Sequence, residues 1–166
     1  MILPIYLYGQ PVLRRATEDI DAAYPNLKEL ISNMYETLEQ AEGCGLAAPQ
    51  IGLSIRLFIV DGTELAEDYP ECAGFKQAFI NPEIIECSGE QTGEEGCLSV
   101  PGKSGVVTRP NYVKARAYDE NMELFEIEGT ELFARAMCHE FDHLDGHLYV
   151  EKVEGELKDV AYEEGE

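Results

Sequence analysis

Two histidines four residues apart, His139 and His143, enclose Glu140 in the run Cys-His-Glu-Phe-Asp-His at residues 138–143. On an α-helix that spacing puts both imidazoles on one face, a turn apart, where they can grip a single metal ion. Glu140 then points to the rim of the same site, placed to move protons on a water at the metal. The chain has three histidines, and two of them are spent here. A hydrolytic metal takes three protein ligands and leaves one position for water, so a further ligand must come from elsewhere.

The type of that ligand decides the chemistry. A carboxylate would make a small zinc peptidase, with Glu151, Glu154, Glu156, Glu163 and Glu164 as candidates. Only 23 residues follow His143, however, and Gly155 interrupts them, which leaves little chain for a second buried helix. A thiolate points to Cys97, in the run Glu-Gly-Cys-Leu-Ser-Val-Pro at residues 95–101, where a strand can hold the side chain rigid. Cys44 lies in another unusual stretch, residues 43–52, but between two glycines. That stretch is built of small residues, and Gln50 carries its only side-chain amide. A Cys/His/His set is soft enough to hold Fe(II) or Zn(II).

Together these three stretches resemble the peptide deformylases. Residues 43–50 are similar to that family's Gly-x-Gly-x-Ala-Ala-Pro-Gln, residues 95–99 to Glu-Gly-Cys-Leu-Ser, and residues 138–143 to Gln-His-Glu-x-Asp-His, in the same order and spacing. The resemblance implies that Cys97, His139 and His143 bind the metal and that Glu140 is the general acid and base. It implies that Gln50 and the backbone N–H of Leu98 donate to the substrate oxygen, that Gly45 lines the cleft, and that Glu95 and Arg109 form a supporting ion pair. The implied cofactor is Fe(II), with Zn(II), Ni(II) or Co(II) as substitutes. The implied substrate is an N-formylmethionyl peptide, met in transient proximity to the ribosome and hydrolysed to formate and a free amine. Leu132, Phe133, Ile51 and Arg109 are the expected walls of the methionine pocket. The peptide is expected to add as a strand along residues 43–45 or along Val106 and Val107. Three positions depart from the family. Cys138 replaces a Gln, Ser104 stands where relatives often carry a basic residue, and no long basic C-terminal helix is present.

Elements must position these groups. Leu27, Leu30, Ile31, Met34, Tyr35, Leu38 and Ala41 recur at helical spacing, with Asn26 and Glu29 as a capping box, and the helix must stop by Gly43. Residues 57–60 read as a short strand buried on both faces, residues 61–76 as an acidic surface excursion, and residues 78–87 as a bent strand broken at Asn81-Pro82. Residues 88–96 read as a Gly- and Glu-rich loop and residues 105–109 as a short strand. Residues 111–118 and 123–128 alternate as a β-hairpin. The second helix follows a break and cap at Gly129 and Thr130 and ends at Gly146. Residues 147–150 look strand-like, and 151–166 form a short acidic tail. The fold class is α+β: short antiparallel strands wrapped around a C-terminal metal-binding helix, with a second, N-terminal amphipathic helix.

Size and charge bound the rest. A chain of 166 residues suits a single catalytic domain spanning 1–166. Thirty-three acidic against 12 basic residues give a net charge of −21, a surface that repels phosphate backbones and anionic lipid, so neither direct nucleic-acid binding nor a membrane role is expected. The five cysteines form no Cys-x-x-Cys pair and no export signal is apparent, so free thiols and a cytoplasmic location are expected.

Overall fold

The computed structural model describes residues 1–41, 43–62 and 75–159. In chain order it holds α1 (Leu27–Ala41), β1 (Gly45–Ala47), β2 (Leu57–Asp61), β3 (Lys76–Ser88), β4 (Gln91–Cys97), β5 (Val100–Arg109), β6 (Tyr112–Tyr118), β7 (Leu124–Thr130), α2 (Leu132–Leu144) and β8 (Glu154–Asp159). All strand pairings are antiparallel, in one sheet of order β1-β2-β3-β6-β7 and a second of order β4-β5-β8.

β2 shows why its sequence is apolar throughout. Successive side chains of a strand point to opposite faces. Phe58 and Val60 pack with Met137, Phe141 and Leu144 of α2, while Leu57 and Ile59 pack with Ile31, Met34 and Leu38 of α1. The larger sheet is therefore covered by a helix on each side. Phe58 stacks on Phe79 at 4.7 Å between ring centres and meets Phe141 edge-on at 5.4 Å, which fixes α2 over the sheet. The α+β class, both helices and the enclosure of α2 by strands agree with the sequence reading.

Four local expectations change. Residues 88–96 are not a loop. From Gln91 they form β4, whose residues pair with β5 from Gln91–Arg109 to Cys97–Val100. Glycine and glutamate have weak strand propensity, but the neighbouring strand supplies the hydrogen bonds that composition does not foretell. Residues 147–150 are not a strand. Leu148 and Tyr149 are buried, but the backbone turns at Tyr149–Glu151 as a 3-10 helix. The acidic tail is not featureless, because Glu154–Asp159 adds β8 to the edge of β5. Gly129 and Thr130 belong to β7, and α2 starts after Glu131, held at φ 57° with no side-chain cap.

At the far end of α2, Gly146 has φ +80°, and a Cβ there would meet the Arg14 carbonyl oxygen at 2.6 Å, so the terminator position requires glycine. Of the expected excursion at residues 61–76, residues 63–74 lie outside the described residues, while its ends Asp61 and Lys76 pair across β2 and β3. No helix among the described residues is long and apolar enough to cross a membrane.

Candidate metal centre and active site

The site is built where a strand and a helix keep step. Gly93, Glu95 and Cys97 alternate along β4, and Arg135, His139 and His143 recur every fourth residue along α2. Two strand residues advance about 6.7 Å and four helical residues about 6 Å, so three cross-contacts form in succession. The Gly93 carbonyl accepts from Arg135 Nη1 at 3.4 Å, Glu95 Oε1 meets His139 Nδ1 at 2.9 Å, and Cys97 Sγ lies 3.3 Å from His143 Nε2.

The ligand atoms of Cys97, His139 and His143 all lie within 4.8 Å of one another. One soft sulfur and two imidazole nitrogens suit a divalent transition metal. His139 commits Nδ1 to Glu95, which leaves Nε2 for an ion and fixes the ring, as outer carboxylates do for metal-binding histidines. Burial and the neighbouring His139 push His143 well below the ordinary histidine pKa, keeping its ring neutral as a ligand must be. Glu140 sits beside the cluster with Oε1 buried and without a hydrogen-bond partner among the described residues. Burial raises its pKa to about 7, against the opposing pull of His139. An orphaned carboxylate oxygen next to three converging ligand atoms is the arrangement a hydrolytic metal centre requires.

The Glu95–Arg109 pair expected from the sequence is present and buried, with Arg109 Nε on Oε2 and Nη2 on Oε1, each at 2.9 Å. Burial works against the Glu95 charge, yet hydrogen bonds from Arg109 and His139 outweigh it and hold the carboxyl well below the usual carboxylate range. Two further members were not foreseen. Arg135 also donates to Glu95, and Asp142 accepts from Arg109 on the outer side while pairing with Lys152. The available signal was spacing: Arg135 stands four residues before His139 on the ligand face of the same helix.

The profile of the polypeptide deformylase family matches residues 2–159. The chain belongs to that family. It is 54% identical over 160 residues to the peptide deformylase of Agathobacter rectalis, covering 96% of this chain and 95% of that one. It is 51% identical over 163 residues to the peptide deformylase of Lachnoclostridium phytofermentans, covering 98% and 96%. The crystal structure of peptide deformylase from Thermotoga maritima superposes with a TM-score of 0.84 at 35% identity, covering 93% of this chain and 99% of that one. The chain is therefore an enzyme, a metal-dependent hydrolase that removes the N-terminal formyl group from nascent polypeptides.

A cavity of about 450 Å³ opens beside Cys97 and His139 of this deformylase, lined in part by Gly45, Gln50, Leu98, Leu132, Ser104 and Glu140. Gln50 is held in place from two sides. Its Oε1 accepts from Ala47 N–H at 2.9 Å, and its Nε2 donates to Ser99 Oγ at 3.2 Å and faces Cys97 Sγ at 3.5 Å. Of the four expected walls of the methionine pocket, only Leu132 lines this cavity. Ile51 packs into the core under α1, Arg109 is enclosed by its carboxylates, and Phe133 turns away to meet Phe75 edge-on at 5.3 Å. Val106 and Val107 offer no free edge, since β5 runs between β4 and β8, whereas β1 is an edge strand.

Cys138 does not face the cavity. It packs against the larger sheet, and burial raises its pKa to about 11. The peptidase candidates also stay apart from the ligand cluster: Glu151 pairs with Arg14 and His147, and Glu154 accepts from Thr108. Glu163 and Glu164 lie outside the described residues.

Proposed function

We propose that Cys97, His139 and His143 hold the metal ion with which this deformylase works, and that the ion in the cell is Fe(II), with Zn(II), Ni(II) or Co(II) as substitutes. The observation that carries the reading is the convergence of one sulfur and two ring nitrogens within 4.8 Å, beside a buried carboxylate oxygen without a partner. Bound there, such an ion supplies Lewis acidity and makes a water acidic enough to attack at neutral pH.

The remaining work falls to the protein. Glu140 accepts the proton of the attacking water on its unpartnered Oε1 and later delivers it to the leaving amine nitrogen. The amide of Gln50, aimed by Ala47 and Ser99, and the backbone N–H of Leu98 donate to the formyl oxygen as it gains charge, each worth roughly 3 kcal/mol in the transition state. Gly45 leaves room for the Glu140 carboxylate and shapes the cleft. Glu95, clamped by Arg109, holds the His139 ring. The formylated peptide lies along the exposed edge of β1, where main-chain bonding tolerates varied sequences, with the methionine side chain against Leu132. The whole chain acts as one catalytic domain, in the cytoplasm and near the ribosome that supplies its substrate.

Anaerobic purification, metal analysis and a formate-release assay on formyl-Met-Ala-Ser test this reading. One equivalent of metal and steady formate release are expected. Cys97→Ala is expected to lose both, and a Cys97→Ala variant that keeps its metal would refute the assignment.

A further inference from the structure

We infer that Arg135 is a positioning residue for the metal centre, acting through Glu95 on His139; the inference rests on the ligand assignment above. Glu95 is buried, and a carboxylate offers about four lone-pair sites. All four are engaged. Oε1 takes Arg109 Nη2 and His139 Nδ1, while Oε2 takes Arg109 Nε and Arg135 Nη1. Arg109, itself anchored by Asp142, grips the carboxylate from one direction only. Arg135 adds a second hold on Oε2 from α2.

The guanidinium is itself anchored. It donates to the Val107 carbonyl from both Nη1 and Nη2 at 3.3 Å, and to the Gly93 carbonyl at 3.4 Å. Gly93 and Val107 are paired residues of β4 and β5, so the side chain ties α2 to the ladder that carries both Glu95 and Cys97. Space for it depends on glycine: a Cβ on Gly93 would lie 3.2 Å from Arg135 Nη2. A lysine keeps the charge, but its ammonium ends one bond short of Nη1 and lacks the second contact that Nη2 makes to the Val107 carbonyl. Arg135 also lines the cavity.

The test measures the zinc affinity of the full-length protein by competition with a chromophoric chelator, alongside kcat and KM for formyl-Met-Ala-Ser. Arg135→Met keeps an apolar stem but removes the fork. Its zinc affinity is expected to fall about 10–100-fold, the usual cost of losing an outer partner of a metal ligand. In this variant kcat should drop while KM stays within about twofold, and Arg135→Lys should recover part of the affinity. Gly93→Ala, which crowds the guanidinium without changing charge, should weaken zinc in the same direction by less, and it decides alone if Arg135→Met does not fold. Wild-type zinc affinity in the folded variants would overturn the inference and leave Arg135 a packing residue. A Cys97→Ala protein that binds zinc as tightly as the wild type would instead count against the ligand assignment itself.

Discussion

A Cβ placed on Gly45 would run into the carboxylate of Glu140. The glycine of β1 and the glutamate of α2 are 95 positions apart in the chain, yet each determines what the other can be. The edge strand that offers itself to a peptide must therefore pass within contact of the group proposed to carry the proton. A bare Cα is the only backbone that lets the two approach so closely.

Gly45→Ala follows directly. The added methyl either displaces the Glu140 carboxylate or pushes β1 outward, and a misplacement of about 1 Å at a reacting group can cost about a hundredfold in rate. The variant is expected to keep its metal, since Cys97, His139 and His143 are untouched, and to lose about that factor in kcat/KM for formate release. Wild-type turnover with full metal content would show that Glu140 has room the structure does not give it.

Glu140→Gln separates chemistry from stability. The amide keeps the size of the side chain but cannot accept the proton, so kcat is expected to fall by about 10²–10⁴. Burying a carboxylate with an unpartnered oxygen is costly to the fold, so the metal-free variant should melt no lower than the metal-free wild type. Scanning calorimetry on the two apo proteins checks this. A lower Tm for the variant would mean that the carboxylate has a stabilising partner.

Much of this was readable in the chain. The convergence of Cys97, His139 and His143 was legible because local spacing carries part of the geometry: His139 and His143 lie one helical turn apart, and Cys97 shares a face of β4 with Glu95. The helix stripe from Leu27 to Leu38 and the two-sided burial of β2 were legible for the same reason. What stayed hidden depends on partners distant in sequence. β4 is too rich in glycine and glutamate to look like a strand until β5 lies beside it, and β8 is written in the same acidic residues as an unstructured tail. Arg135 carries no local mark of its role, because nothing near it in sequence says that Glu95 takes a second cation. Ile51 and Phe133 do not line the cavity beside Cys97, because Ile51 packs under α1 and Phe133 meets Phe75, partners that lie far off in sequence.

Metal removal should act on stability as well as activity. An ion that binds only the folded chain stabilises it by an amount that grows with its excess over Kd, about 2.7 kcal/mol at a hundredfold excess. Treatment with a chelator is therefore expected to lower Tm by several degrees, and readdition of Zn(II) or Fe(II) under anaerobic conditions to restore it. Cys97→Ala should show no such response. An unchanged Tm in the wild type would indicate that the three ligands do not hold an ion in the folded protein.

The last prediction sets a buried ion pair against an exposed one. Arg109 and Glu95 have side-chain exposures of 2% and 5%, whereas Arg116 and Glu126 are 43% and 42% exposed. Both pairs are close, with Arg116 Nη2 at 2.8 Å from Glu126 Oε2, so distance alone does not rank them. Solvent does. Truncating Arg109 removes two of the four bonds to buried Glu95 and leaves Asp142 to Lys152 alone, a loss of about 3 kcal/mol, whereas water takes over the role of Arg116 at the surface. Arg109→Leu is therefore expected to lower Tm by roughly 10 °C, at about 2–4 °C per kcal/mol for a domain of this size, and to weaken metal binding through His139. Arg116→Ala should not shift Tm measurably and should leave formate release unchanged. Equal Tm shifts in the two variants would mean that the Glu95 cluster is open to water in solution, and the support it lends to His139 would have to come from packing alone.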